Sequence, residues 1–156
     1  MTFITPNPDF GVRLHERFSS TGTMGTLGAR LVRVGPGEVE LELPYHHGVS
    51  QNNGFFHGGI IGTMLDTACG YAALTIMPAD DEVLTVEYKI NFLSPAAGEL
   101  LVARGRVLRA GKTLTICEAD GIMAVDGKEK CVARMTATMI ATKLTTLGQG
   151  ETDVIV

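Results

Sequence analysis

The stretch from Asn52 to Leu74, NNGFFHGGIIGTMLDTACGYAAL, holds one histidine, one acid, one thiol and five glycines in an otherwise apolar run. His57, Asp66 and Cys69 all belong to residue types that act as bases or nucleophiles. Cys69 has no histidine at a suitable local spacing and falls beside an apolar stripe, so it reads as a buried, inert thiol. His57, Gly58 and Gly59 stand where a helical pattern begins, and free N–H groups and the positive end of the helix dipole gather there. Glycine lets a ligand come close to those amides, which suits a carbonyl oxygen that becomes negative. His57 itself either caps the helix and fixes the loop before it or supports the chemistry as a neutral ring. Asp66 is open to two readings, an acid satisfied by local donors or a catalytic carboxylate.

The elements that must position these residues follow from the spacing. From His57 to about Met77 the period is helical, Pro78 stops it, and the helix is about 30 Å long. Ile60, Ile61, Met64, Leu65, Ala68, Cys69, Ala72 and Ile76 make a broad apolar stripe, read as core against a sheet. Beside it Gly59, Gly62, Asp66, Gly70 and Ala73 form a second stripe of residues with almost no side chain, apart from one carboxylate. Helical glycine is unfavourable by up to about 1 kcal/mol against alanine, so this stripe predicts the close approach of another element or subunit. Upstream, Phe10, Leu14 and Phe18 predict a short amphipathic helix over about 7–20, with Asp9 suited to its first turn. Glycines 22, 25 and 28 break that helix, and 26–34 and 38–43 alternate as a hairpin around GPG. YHHGVSQNNG, 45–54, is a polar loop. Four β-rich segments follow the long helix, at about 83–93, 99–109, 113–125 and 129–142, and the Asp-Gly at 126–127 suits a hairpin turn.

This order predicts an α+β fold: a curved, mostly antiparallel sheet of about six strands wrapped around one long central helix. Residues 1–142 make one domain with a short N-terminal helix, and 143–156 read as a frayed tail. Scattered basic residues and a net charge of −4 argue against a nucleic-acid partner. No apolar run is long enough for a membrane span, and the first residues lack a signal-peptide pattern. Cys69, Cys117 and Cys131 are odd in number and widely spaced, which fits reduced core thiols of a cytoplasmic protein better than disulfides or a metal site.

The spacing also sets a constraint. Gly58 and Asp66 are eight residues apart, about 12 Å along one helix, so they cannot both touch one scissile carbonyl within a single subunit. If both act, the site joins Gly58 of one chain to Asp66 of another, and an obligate homodimer with two shared sites follows. RAGKT at 109–113 resembles the end of a phosphate-binding loop, but Gly105 precedes Gly111 by one residue too many and the setting is strand–turn–strand. Nucleotide hydrolysis is rejected. Arg109 and Lys112 remain as a solvated hairpin turn or as contacts to a phosphate-bearing ligand.

The run Q-N-N-G-F-F-H-G-G-I-I-G-T-M-L-D, 51–66, resembles the signature of hotdog-fold acyl-CoA thioesterases of the phenylacetyl-CoA thioesterase (PaaI) type. The resemblance spans roughly 25–142 and takes in V-x-Y-x-x-N-F-L-S-P at 86–95 and the G-K-T hairpin. It implies hydrolysis of an acyl-CoA to a carboxylic acid and coenzyme A, with no metal and no cofactor beyond the coenzyme A of the substrate. Asp66 is implied as nucleophile or general base, the Gly58 amide as the group that polarises the carbonyl, and Thr85 as orienting the water or carboxylate. Gln51 is implied to place the nucleophile or water; many members carry Asn there, and Gln occurs in 4-hydroxybenzoyl-CoA thioesterases whose acid is Glu. His57 is implied in support, with Asn53, Phe56, Gly59, Arg109 and Lys112 as substrate contacts. A homotetramer built from two hotdog dimers is the implied assembly. Two rivals stay open: a hotdog hydratase or dehydratase acting on enoyl or hydroxyacyl thioesters, and a non-catalytic acyl-CoA-binding module. Phe55, Phe56, Tyr71 and Met77 are the residues expected to crowd the acyl pocket.

Overall fold

The computed structural model describes residues 3–125 and 127–143, so the expected tail, Lys143 excepted, lies outside the described residues. In chain order the main elements are α1 (Phe10–Ser20), α2 (Gly22–Leu27), β1 (Arg30–Gly35), β2 (Glu38–Pro44), α3 (Gly58–Leu74), β3 (Glu82–Phe92), β4 (Leu100–Ala110), β5 (Leu114–Val125) and β6 (Lys128–Thr142). The strands form one six-stranded antiparallel sheet in the order β1-β2-β4-β5-β6-β3. The crossover from β2 to the far edge strand β3 is α3, which lies on one face of the sheet and packs against β2, β3, β4, β5 and β6.

Period-two alternation decides which face receives the helix. In β2, Val39, Leu41 and Leu43 are buried between Glu38, Glu40 and Glu42. In β6, Ala133, Met135, Ala137 and Met139 point the same way and are fully enclosed. Against them α3 sets Ile61, Met64, Leu65, Ala68, Cys69 and Ala72, all buried. Each large apolar side chain enclosed here contributes about 1.5–3 kcal/mol relative to exposure. The opposite face is a lattice of ion pairs: Arg104 with Glu40 and Glu129, Arg106 with Glu118 and Asp120, and Arg134 with Asp120.

The structure departs from the expected elements at three places. Glycines 22, 25 and 28 do not simply end α1; the first two lie in a second short helix, and Gly28 closes it at φ 72°. The first strand therefore begins at Arg30 rather than near Thr26. The long helix ends at Leu74, before Pro78, because the Thr75 hydroxyl turns the chain by donating to Ala72 O at 2.7 Å and accepting Gly37 N–H at 2.7 Å. Asp9 precedes α1 as its cap residue, without a side-chain capping bond.

Within the chain, the tightest approach of helix to sheet is not at the glycines of the Asp66 stripe. A Cβ on Gly62 or Gly70 would meet its nearest neighbour at an ordinary 3.9 Å, whereas one on Gly105 of β4 would lie 2.3 Å from the Ala68 carbonyl oxygen. The residue that lets helix and sheet touch is in the sheet.

Candidate active site

Residues 45–57 carry the chain from β2 to α3 and are fastened at several points. Tyr45 N–H donates to Glu99 O at 2.7 Å, Phe56 N–H to Ala96 O at 3.0 Å, and His57 N–H to Val49 O at 2.9 Å. His46 bridges this loop to α2: Nδ1 accepts Gly48 N–H at 3.2 Å, which leaves Nε2 to donate to Leu27 O at 3.1 Å. The tight turn at 51–54 closes through Gly54 N–H to Gln51 O at 3.0 Å, with Gly54 at φ 79°. The Gln51 side-chain oxygen accepts the Asn53 amide, so its NH2 group is the donor left for a ligand.

His57 is the N-cap of α3, its Nδ1 accepting Gly59 N–H at 2.9 Å. The Nδ1 lone pair is thereby taken up by the first turn of the helix. Of the two roles open to His57, the cap is the one its contacts display. The Gly58 amide opens the helix and donates to nothing among the described residues. Over it stands Phe92, whose Cζ would be 3.1 Å from a Cβ at position 58. Here the chain forms a groove of about 490 Å³, with Gln51, Phe55, Phe56, Gly58 and Ile61 on one side and the 92–96 segment on the other.

Asp66 lies two turns further along α3, outside that groove. Its Oδ1 accepts the Thr85 hydroxyl at 2.8 Å from edge strand β3. A β-bulge is what allows this bond together with the Phe92 contact. Val83, Thr85, Tyr88, Ile90 and Phe92 pair with Ala141, Met139, Ala137, Met135 and Ala133, and the register slips between Thr85 and Glu87. The extra residue is Val86, and it switches the inward positions from odd to even numbers. Without it, Glu87, Lys89 and Asn91 would face the helix.

The structure thus brings Gln51, Phe56 and Gly58 together, with His57, Gly59 and Asn53 on the adjoining cap and turn, and separately joins Asp66 to Thr85. It does not bring the two sets together within one chain, because about 12 Å of helix lies between Gly58 and Asp66. Arg109 and Lys112 are exposed near the β4–β5 turn, and position 109 is nine strand residues, about 30 Å, from Leu100, which pairs with Pro44 beside the site loop. Tyr71 and Met77 do not line the groove: Tyr71 bonds Thr21 and packs on Phe18, and Met77 is core. The 92–96 segment is the lining that local spacing did not reveal, since it reaches the site through the β3–β6 pairing and the bond from Phe56 N–H to Ala96 O.

Burial pushes the Cys69 thiol far up, with Cys117 and Asp66 adding to the effect, and burial pushes Cys117 up to about 12. Neither is a nucleophile in this state. Cys131, expected as a core thiol, is instead half-buried on the charged face, within reach of Asp120 and donating to Ala133 O at 3.3 Å. All three cysteines are free, and among the described residues no group of His, Cys, Asp and Glu has the arrangement of a metal site. No helix of the described residues is long and apolar enough to cross a membrane.

Comparison with known proteins bears on the family and the fold. Residues 53–129 match the model of the thioesterase superfamily. Human acyl-coenzyme A thioesterase 13 is 32% identical over 99 residues, which are 63% of this chain and 70% of the human protein. The crystal structure of a thioesterase family protein from Silicibacter pomeroyi superposes with a TM-score of 0.83 at 45% identity, over 85% of this chain and 97% of the other. The E. coli PaaI protein, from the phenylacetic acid degradation operon, shares the fold at a TM-score of 0.76 and 20% identity, over 86% and 94% of the two chains. The chain belongs to the thioesterase superfamily, and it is a thioester hydrolase with the hotdog fold.

Proposed function

We propose that this protein hydrolyses acyl-CoA thioesters to a carboxylic acid and coenzyme A at sites shared between two copies of the chain. The observation that carries the reading is the separation of two complementary half-sites along one helix. At the start of α3 an unpartnered glycine amide opens onto an apolar groove with the Gln51 carboxamide beside it. Two turns on, a carboxylate is oriented by the Thr85 hydroxyl. Each half lacks what the other supplies. A thioester carbonyl needs an oxyanion donor and an oxygen nucleophile on opposite sides, both near 3 Å.

The edge strand supports the pairing. Among the described residues β3 has a neighbour on one side only, and it exposes Leu84, Val86, Tyr88 and Phe92, with Leu93 just beyond it, an apolar edge suited to strand addition by a second copy. In the dimer, Gly58 of one chain holds the developing oxyanion, with Gln51 placing the carbonyl or the water. Asp66 of the partner subunit, held by the partner's Thr85, either attacks the carbonyl to form an anhydride that water then hydrolyses, or takes a proton from the water that attacks; in both cases the thiolate of coenzyme A leaves. His57 holds the helix start in shape, and Asn53, Phe56 and Gly59 border the bound substrate. Arg109 and Lys112 reach a phosphate of coenzyme A only from the neighbouring chain. Two such dimers form the tetramer. The residues present supply the whole reaction without a metal or cofactor, and the three free thiols fit a cytoplasmic setting.

Thiol release from short, medium, long and aromatic acyl-CoAs, with Asp66→Ala alongside, tests the reading. Turnover by the wild type that Asp66→Ala loses supports it. Equal turnover by both removes Asp66 from the chemistry, and acyl-CoA binding without release replaces the enzyme by a binding module. A hydratase frees no thiol either, and is recognised by consumption of an enoyl thioester.

A further inference from the structure

Between the two half-sites stands a side chain that neither uses. Tyr88 lies at the middle of β3, and its hydroxyl is 3.9 Å from where a Cβ would stand on Gly62. Gly62 is one helical turn beyond Gly58 and one turn before Asp66, so the phenol occupies the helix face between them. Tyr88 is 47% exposed in the single chain, and its hydroxyl forms no hydrogen bond among the described residues. The bulge at Val86 is what turns this tyrosine toward the helix.

A thioester held between Gly58 of one chain and Asp66 of its partner has two arms. The coenzyme A arm ends in a large charged nucleotide and needs a path to solvent. The groove beside Gly58 offers one, since Leu93 on its rim is 57% exposed. The acyl arm takes the other direction, along the helix face that carries Asp66. Toward the C-terminus that face is shut, because Val83 lies over the buried Gly70 and Ala73 is enclosed. Toward the N-terminus, Gly62 leaves the helix surface bare, and the phenol of Tyr88 closes the space above it.

We propose that Tyr88 is a specificity-determining residue whose ring ends the acyl pocket and limits the length of acyl group accepted. The assignment rests on the functional reading above, and its test separates the two. The ratio of kcat/KM for dodecanoyl-CoA to that for acetyl-CoA is measured for wild type, Tyr88→Phe, Tyr88→Ala and Tyr88→Val. Removing the ring raises this ratio about tenfold or more in the Ala and Val variants, while Tyr88→Phe keeps the wild-type ratio. Val is included because a β-branched residue suits a strand if Ala weakens the edge. An unchanged ratio in whichever of the two folds overturns the assignment and leaves the thioesterase intact. Unfolding of both also overturns it, since the ring would then serve the fold. A wild type that releases thiol from no acyl-CoA removes the functional reading, and this one with it.

Discussion

The Thr85 hydroxyl donates to the Asp66 carboxylate at 2.8 Å across the gap between edge strand and helix, joining residues 19 apart in sequence. This bond occupies one lone pair of Oδ1, and on the proposed mechanism the other oxygen acts on the substrate or on water. Asp66→Asn or Asp66→Ala is therefore expected to lower kcat by about a hundredfold to ten-thousandfold, the range for loss of an acid–base group, with little change in melting temperature. Thr85→Val keeps the shape and removes the donor. Its kcat falls by less, about tenfold, with KM nearly unchanged, because it acts through Asp66.

Shared sites make a sharper demand. A heterodimer of one Asp66→Asn chain and one Gln51→Ala chain has one site with both defects and one with neither. Co-expression with two affinity tags is expected to yield heterodimers at about half the wild-type activity per dimer, while each homodimer is impaired. Heterodimers no more active than the homodimers would place both residues in the same chain's site.

The contact between Gly105 and Ala68 predicts an asymmetry among the glycines. A Cβ at Gly105 meets backbone at 2.3 Å, so Gly105→Ala must push α3 off the sheet. Overpacking at a rigid contact destabilises by about 1–3 kcal/mol or more. Gly62→Ala and Gly70→Ala meet only ordinary contacts at 3.9 Å, and alanine favours helix by up to about 1 kcal/mol. Chemical denaturation of the three variants should show one loss of stability and two neutral or stabilising changes.

Asp120 sets part of the acid limit of the fold. Burial pushes its carboxyl up, but hydrogen bonds and charge from Arg134 and Arg106 outweigh this and hold it below the ordinary 3.8. A carboxyl lowered by folding stabilises the native state above its unfolded pKa, and that stability is lost as pH falls through the lowered value. Asp120→Asn is expected to be less stable than wild type at neutral pH. The gap should close only at pH well below 3.8.

The thiols give a simple check on the core. Of the three free cysteines, Cys69 and Cys117 are buried with raised pKa, and Cys131 is half-buried with its pKa also raised, by burial first and then by Asp120. An aromatic disulfide reagent at neutral pH should label at most Cys131, and slowly, in the folded protein. All three should react after denaturation, and rapid labelling of two or more in the native state would contradict this packing.

Much of this was legible in the chain itself. Alternation in β2, β4 and β6, the period of α3, and the Gly-x-x-His-Gly-Gly…Asp spacing are local facts, and local geometry turns them into elements and into the 12 Å separation of Gly58 from Asp66. Spacing also proposed a small-residue stripe beside Asp66 for the close approach of another element or subunit, yet within the chain the tightest contact of helix and sheet is at Gly105. Contact between helix and sheet depends on which strand lies beneath, and that strand carries Gly105. The α2 helix was hidden for a related reason: its glycines read as breakers, and only packing of Met24 and Leu27 into the core holds six such residues in helix. The pairing of Thr85 with Asp66, the cover that Phe92 places over Gly58, and the position of Tyr88 rest on one bulged residue, Val86. A bulge is a relation between two strands, and no window of a single strand contains it. The sequence by itself determined the strands, the two longer helices and the spacing of the chemistry along one of them. Tertiary structure decided which side chains stand opposite them, because strand pairing joins residues that are distant in the chain.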